Sequence, residues 1–345
     1  MFLIAGISFQ ELFSFKFYFS LLITALTDVV AFLFLRKNFK AIFICSIFFF
    51  TGTIILNYQK NSYEFLQKKL ENKIINIKAE VINKEINKFG KIKEEILLKV
   101  IATNDPSLIN TNFNIILYLY TNTNIEHNQI LLIKNLKIKN LSKRTGFKYY
   151  LIKEDINATI FTQKIDYEII ENQKNFITKK IYEFKRNLFI NLKNKINNAN
   201  FSYFSSIFLG YKKESISNQE KNLFNIWGIS HYLARSGLHI VLFILIWQLI
   251  LSLIPINLNF KNIILLFLVL LYTILSWSSI SLLRAFYAFV FIQSGNLLNQ
   301  QTKYLHLLSL TCLITLLLNP IQLFFVDFQL TYGLTFTLIL IKEMG

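Results

Sequence analysis

The stretch "GISHYLARSGLHIVLFILIWQLILSLIP", residues 228–255, joins a polar beginning to an apolar continuation. Its second half predicts a membrane-spanning helix, because about 20 apolar residues match the thickness of a hydrocarbon core. Its first half holds His231, Arg235 and His239, which share one helix face because they are spaced four residues apart. We call these three residues the stripe. Ionisable side chains inside a membrane are costly and usually functional, so the stripe predicts a cationic path, which would suit an anionic substrate.

Other interpretations of this stripe stay open. The three side chains could mark only the helix end, with their charged groups reaching the membrane interface. A metal site is disfavoured, because the two imidazoles would lie roughly 12 Å apart along the helix and no acid or thiol is near. Ser236 is a weak nucleophile candidate, since no activated-serine turn surrounds it. No catalytic residue and no metal ligand is therefore predicted.

The composition indicates a membrane protein with a basic soluble part. The chain has 345 residues, of which 53% are hydrophobic and 16% aromatic, and a formal net charge of +17. With a mean hydropathy of +0.42 it is too apolar for an ordinary soluble domain of this length. Cys45 and Cys312 both fall in apolar runs, which argues against a disulfide and excludes a cysteine-based metal site.

The chain divides into four predicted regions. Residues 1–58 hold N-terminal transmembrane helices, and 59–180 form an extracytoplasmic β domain. Residues 181–230 are amphipathic interfacial helices, and 231–345 form a second transmembrane region. Apolar runs of span length predict membrane helices at 17–35, 41–58, 231–254, 262–279, 281–297, 305–324 and 326–342.

The region 59–180 predicts strands, because apolar and polar residues alternate in four short segments. Turn-forming residues bound each segment, which favours a small barrel or sandwich inserted into an α-helical, polytopic membrane protein. The segments are 76–86, 94–103, 112–121 and 129–140. Between the β region and the second membrane region, "KKIYEFKRNLFINLKNKINN" (179–198) has the period of an amphipathic helix with a lysine-rich face.

The distribution of cations orients the chain. Short loops rich in Lys and Arg stay in the cytoplasm, so "RKNFK" at 36–40 predicts a cytoplasmic loop. Residues 59–227 would then lie outside, and the stripe would sit near the external mouth. Lys261 and Lys303 would return to the cytoplasmic side, in agreement with this orientation.

The stretch "LFNIWGISHYLARSGLHIVLF" (223–243) resembles the signature of the ComEC family of competence proteins. The family's Ser-Gly-Leu-His element corresponds to Ser236, Gly237, Leu238 and His239, with Arg235 in place of the usual branched residue. "SLLRAFYAF" resembles the family's Arg-Ala helix and contains Arg284. "LNPIQLFFVDFQLTYG" resembles its Asn-Pro element and the following Phe-Gln-Leu-Ser-Phe element, which contains Gln329 here, while Asp327 is a candidate partner for Arg284.

The resemblance implies an inner-membrane, multi-pass channel that passes single-stranded DNA into the cytoplasm during natural transformation. The implied external domain is OB-like, and the implied partners are membrane lipid, a DNA receptor, and a cytoplasmic DNA translocase or single-strand-binding proteins. Self-association stays open. The metallo-β-lactamase-like domain of many members has no counterpart, since the four histidines lack its ligand cluster. We therefore expect no nuclease activity, no enzyme and no cofactor. The chain stops at Gly345, where relatives usually continue, and is predicted to be incomplete.

Single-stranded DNA needs stacking partners and a cationic lining. Tyr118, Tyr120, Tyr149 and Tyr150 are stacking candidates in predicted strands or turns of the external domain, although ordinary packing would also explain them. Three other functions stay open. The chain could be a transporter for another anion, a membrane enzyme that uses His231 and His239, or a non-functional truncated family member.

Overall fold

A computed structural model describes the chain in two compact units, one made of residues 1–174 with 315–323 and the other of 175–314 with 324–345. Each unit is presented by itself, the first as the β unit and the second as the helical unit. The described residues are 1–13, 39–86, 92–108, 111–126, 129–138, 145–172, 176–210, 218–228, 237–276, 280–298, 300 and 303–344. The predicted span 17–35 and most of the loop 36–40 lie outside them.

The β unit begins with two closely packed helices, α1 (Phe2–Phe13) and α2 (Phe39–Leu70). Glycines set their distance. A Cβ atom on Gly6 would lie 2.0 Å from the Phe49 carbonyl oxygen, and one on Gly52 would lie 2.5 Å from that of Leu3. Small residues allow this backbone approach, as they do between helices in membranes. The predicted span 41–58 lies within α2, which continues to Leu70.

Six strands of the described residues form one sheet, in the order β5-β3-β2-β1-β4-β6. All neighbours are antiparallel except β3 and β5, which run parallel. The four predicted segments are confirmed as β1 to β4, whereas β5 and β6 were not foreseen as separate strands. Within the described residues no ladder joins the edge strands β5 and β6, so closure into a barrel stays a prediction. The strands are β1 (Ile74–Ile86), β2 (Glu94–Thr103), β3 (Phe113–Leu119), β4 (Gln129–Lys137), β5 (Ala158–Thr162) and β6 (Asp166–Asn172).

Alternation along the strands builds the core of the β unit. In β2, the side chains of Ile96, Leu98 and Val100 are buried, whereas the side chains between them point away from the core. The buried residues of β1, β3, β4 and β5 join them in one apolar cluster. A period of two is what a half-buried strand needs, which explains why the sequence pattern predicted these strands.

A helix interrupts the β unit between β4 and β5. This helix, α3 (Thr145–Lys153), contains Tyr149 and Tyr150, so their prediction as strand or turn residues was wrong. Asp155, with a φ of 54°, ends the helix in the left-handed region. There the Asp155 N–H donates to the Ile152 carbonyl and the Ile156 N–H to that of Leu151, which is a Schellman motif.

The helical unit begins with α4 (Phe176–Lys195), which confirms the amphipathic helix. The next helix, α5 (Asn198–Phe204), runs into a π-helical turn (Ser205–Leu209). Gly210, with a φ of 75°, ends that turn in the left-handed conformation that glycine adopts most easily. Helix α6 (Asn218–Ile226) follows.

Five apolar helices, α7 to α11, make up the described rest of the helical unit. α9 packs against α7, α8 and α11. Among the described helices, α8 and α9 are long and apolar enough to cross a membrane, by length and composition. The predicted span 305–324 ends earlier, at Leu318, because Pro320 cannot continue a helix and starts a 3-10 turn (Pro320–Phe324). The helices are α7 (Gly237–Ser252), α8 (Leu258–Leu275), α9 (Ile280–Leu297), α10 (Tyr304–Leu318) and α11 (Val326–Met344).

Candidate functional site

The motif that dominates the sequence is described only from Gly237 onward. His231, Arg235 and Ser236 lie in 229–236, outside the described residues, so their common helix face stays a prediction. Gly237 is the first described residue of α7, and its N–H donates to the Ser281 hydroxyl of α9 at 3.0 Å. This hydrogen bond links the described beginning of α7 to α9.

Gly237 also allows α7 and α9 to approach each other. A Cβ atom at this position would lie 3.2 Å from the Ala285 Cβ and 3.3 Å from the Ser281 carbonyl oxygen. Those contacts are tighter than ordinary van der Waals packing, so any larger residue would move one helix. Two segments singled out by the sequence, Ser-Gly-Leu-His and Arg-Ala, therefore meet at this crossing.

His239, the last residue of the predicted stripe, lies half-buried near the start of α7. Its ring meets the Phe208 ring edge-on, with centroids 6.2 Å apart. The Phe208 carbonyl accepts a hydrogen bond of 2.9 Å from the Tyr272 hydroxyl of α8. The histidine is thus held against the end of the π-helical turn.

Arg284 connects α9 to α11. Its Nη1 donates to the Thr331 carbonyl oxygen and to the Thr335 hydroxyl. The guanidinium carbon lies 5.9 Å from the centre of the Tyr332 ring, within the range of a cation–π contact. Asp327, the partner considered from the sequence, makes no ion pair with Arg284 in the described structure, and the Thr331 carbonyl and the Thr335 hydroxyl accept the guanidinium's bonds instead.

Neither Thr331 nor Thr335 was predicted as a partner of Arg284, although their i, i+4 spacing on an otherwise apolar helix is a usable signal. Gln329 lies exposed in the first turn of α11, while Phe328 and Tyr332 pack together with centroids 4.5 Å apart. α9 is therefore the common neighbour of Gly237 on α7 and of the 328–335 segment on α11. Gln329 itself lies on α11, two residues before Thr331.

On the β unit, the tyrosine candidates separate into two groups. Tyr118 of β3 stacks on Phe161 of β5, with ring centroids 4.7 Å apart and planes 15° from parallel. Phe161 is 52% exposed and is a residue that the sequence analysis missed. Tyr120 is exposed just beyond β3, where its N–H donates to the Thr162 carbonyl. These three aromatic side chains lie at one end of strands β3 and β5 and are called the aromatic end.

The second group lies on α3. The Tyr149 hydroxyl donates to Glu11 of α1, and the Lys60 ammonium lies 5.2 Å from the centre of the Tyr149 ring. Burial, followed by the Glu11 carboxylate, raises the pKa of Tyr149 above its ordinary value. Tyr149 therefore joins helices, with its hydroxyl and ring both engaged. Tyr150 is more exposed and stacks on Phe147.

Many cations of the β unit are neutralised locally. Lys84 and Glu94 form a nearly buried pair at 2.9 Å, and the Thr123 hydroxyl donates to the same carboxylate. Other lysines of the unit pair with Glu11, Glu64, Asp105, Glu154 or Glu168. Lys93 and Lys164, both exposed, make no ion pair with any described residue.

Lys93 and Lys164 lie beside the aromatic end. The Lys93 N–H donates to the Leu119 carbonyl next to Tyr120, and the Lys164 carbonyl accepts from the Thr162 hydroxyl next to Phe161. Glu95 of β2 is the cross-strand neighbour of Tyr118, on the side of β3 away from β5. This surface can thus stack a planar ring, with cations at its end and one carboxylate at its side. Among the described residues, no group of three His, Cys, Asp or Glu side chains could hold a metal ion.

Comparison with known proteins adds one finding. Residues 207–344 match the family model described as "Competence protein", which confirms the resemblance seen in the sequence. The match includes α7, α9 and α11, the helices that meet around Gly237 and Arg284. Neither a curated protein nor a solved structure matches the chain.

Proposed function

From the premise that residues 207–344 are a competence-protein domain, we propose that this chain is a component of the inner-membrane channel that brings single-stranded DNA into the cytoplasm during natural transformation. The observation that carries the proposal is the junction at α9, where the specific Ser-Gly-Leu-His element of that domain meets the supporting Arg-Ala helix. Its other partners would be membrane lipid, a DNA receptor and a cytoplasmic translocase or single-strand-binding protein.

A membrane location is supported by the surface of the helical unit. Large apolar side chains are exposed along α7 and α8, among them Leu245 of α7 and Phe267 of α8. Contiguous apolar surface of this kind is rare on a soluble protein and is stable in lipid. The candidate spans α8 and α9 fit the same interpretation. We further propose that the chain crosses the inner membrane several times.

Arg284 is suited to receive phosphates in such a channel. Both of its hydrogen bonds to α11 use Nη1, so its Nη2 and Nε donors make no bond to a described residue. A guanidinium has five N–H donors in a fixed fork that matches phosphate geometry. DNA that enters a channel loses counterions, and a held arginine replaces part of that charge. Arg235 and the two histidines would extend this lining towards the external side.

The aromatic end would capture the strand outside the membrane. A base stacked on Phe161 or Tyr120 gains roughly 1–3 kcal/mol without sequence preference, and Lys93 and Lys164 would bind the neighbouring phosphates. Glu95 would disfavour a phosphate beside Tyr118, so the strand should run along the lysine side. Exchange of Phe161 and Lys93 for alanine should weaken binding of single-stranded DNA by the full chain in detergent. Ile169→Ala, an exposed residue on the other edge strand, is the matched control.

The proposal as a whole is tested by deleting this gene alone. Transformation and DNA bound at the cell surface are scored separately. We expect transformation to be lost while surface binding remains. Normal transformation in the deletion strain would disprove the proposed function, and loss of surface binding would point to a receptor instead.

The stripe has its own test. Arg235→Ala should depress transformation strongly, because arginine stays protonated at every relevant pH whereas histidine is only partly charged. Arg235→Lys should keep part of the activity, since a point charge suffices for passing phosphates. Near-normal transformation by stably expressed Arg235→Gln would instead indicate that the stripe only anchors the helix at the interface.

A further inference from the structure

The turn between α10 and α11 belongs to the β unit, although the helices on both sides of it belong mainly to the helical unit. Residues 315–323 cluster with residues 1–174, whereas most of α10 and all of α11 cluster with the helical unit. Pro320 and Ile321 are buried in this turn. This turn is therefore held within the β unit, while the chain on both sides of it continues into the helical unit.

One side chain, Asn319, fastens the turn on two sides. Its Oδ1 accepts a hydrogen bond of 3.0 Å from the Gln59 Nε2 of α2. Its Nδ2 donates to the Lys153 carbonyl oxygen at the end of α3, at 2.9 Å. Both atoms of the amide are thus used, and they connect two different helices of the β unit.

The hydrogen bond from Asn319 satisfies the Lys153 carbonyl at the end of α3. The last carbonyls of a helix lack intrahelical partners. Here the Schellman motif satisfies those of Leu151 and Ile152 and leaves that of Lys153. Asn319 supplies the missing donor from a distant part of the chain. Because Asn319 precedes a proline, a helical conformation is disfavoured there, and α10 ends at Leu318.

Hydrogen bonding around this fastening is incomplete. The Tyr63 hydroxyl is buried without a hydrogen-bond partner among the described residues, as are the side-chain amide oxygens of Gln59 and Gln322. Tyr63 is only 4% exposed, and burial raises its pKa to about 12, so its hydroxyl stays neutral. Polar groups left unsatisfied in a buried network cost free energy. Their cost makes the fastened arrangement less stable than a fully satisfied network would be.

We propose that Asn319 is a latch. It is a positioning residue that fastens the α10–α11 turn to α2 and α3, and it thereby couples movement of α10 and α11 to the β unit. Its release would let α10 and α11 shift while the β unit keeps its fold. The coupling to transport rests on the proposed function, whereas the latch itself does not.

The latch is tested first without DNA, by hydrogen exchange on the full chain in detergent. Asn319→Ala should accelerate exchange at 315–323 and at the end of α3 by about tenfold, because a buried donor and acceptor lose their partners. Gln59→Ala should have a smaller effect, and adding it to Asn319→Ala should change little at 315–323. Asn259→Ala, an exposed asparagine of α8, is the matched control. Unchanged exchange in Asn319→Ala would overturn the latch.

The coupling is tested by transformation in a strain that carries the same variants. We expect Asn319→Ala to reduce DNA entry while the level of protein and the DNA at the surface stay normal. Asn319→Asp should also reduce it, since a carboxylate would face the Lys153 carbonyl. Faster exchange with undiminished entry would show that Asn319 serves structure only and would overturn the coupling. If the gene itself proves dispensable for transformation, the proposed function fails, but the exchange experiment still decides the latch.

Discussion

The strands of the β unit enclose their apolar side chains, whereas the helices of the helical unit leave many of theirs exposed. In the β unit, leucines and isoleucines at alternate strand positions are enclosed, as at Leu98, which is fully buried. In the helical unit, α7 keeps much of its apolar surface open, as at Leu245, which is 49% exposed. The first pattern is stable in water and the second in lipid. One chain thus contains one region whose apolar surface suits water and another whose apolar surface suits lipid.

The largest effect is expected from a cavity in the β unit. Leu98→Ala should lower the free energy of opening of the sheet by about 2–5 kcal/mol, because a buried side chain leaves a void. Ile101→Ala on the same strand removes a more exposed residue and should cost much less. Hydrogen exchange of β1 to β4 in the full chain measures both variants. Equal costs would contradict the enclosed core.

A charge on the open face of α7 should have the next largest effect. Leu245→Lys should disfavour membrane insertion by about 2.5–3.5 kcal/mol, the cost of a lysine near the centre of a spanning helix. Ile74→Lys places the same charge on a 62% exposed residue of β1 and should be tolerated. The measured quantity is the fraction of protein that resists alkaline extraction from membranes. Full insertion of Leu245→Lys would mean that this face meets water.

Elements with a local sequence pattern could be predicted from the sequence, whereas contacts between distant segments could not. β1 to β4 were predicted because alternation is a local signal. α3 was missed because "TGFKYYLIK" follows no clear period, and its end is completed by Asn319 from a distant segment. The partners of Arg284 were missed for the same reason, since only the packing of α9 on α11 brings Thr331 and Thr335 to the guanidinium.

The crossing of α7 and α9 gives a smaller, sharper test. Gly237→Ala should destabilise the helical unit by about 1–3 kcal/mol, because its Cβ would press on Ala285 and Ser281. Gly333→Ala in α11 meets nothing within 4 Å and should be neutral or stabilising, since alanine favours a helix. Thermal unfolding in detergent compares the two. A neutral Gly237→Ala would place the helices further apart than described.

The smallest effect concerns pH. Hydrogen bonds from Lys73 and then from Ser107 lower the pKa of Asp105 to about 2. The unfolded carboxyl has a pKa of about 3.9, so the ionised form stabilises the fold above that pH. This stabilisation is lost as the pH falls through about 2. Asp105→Asn should therefore lower the melting temperature slightly at pH 6 and not at pH 2. Asp166→Asn, an exposed carboxylate of β6, is the control, and an equal effect at both pH values would contradict the ion pair.

The central claim is that the helical unit passes DNA and that Arg284 takes part in it. The decisive measurement is nuclease-resistant DNA inside cells per molecule of DNA bound at the surface, in a deletion strain complemented with Arg284→Ala. We predict a loss of about tenfold or more, as for removal of a charge-assisted hydrogen bond, with surface binding unchanged. Thr335→Val, which keeps the charge and removes one contact, should lose less. Wild-type entry by stably expressed Arg284→Ala would contradict the claim.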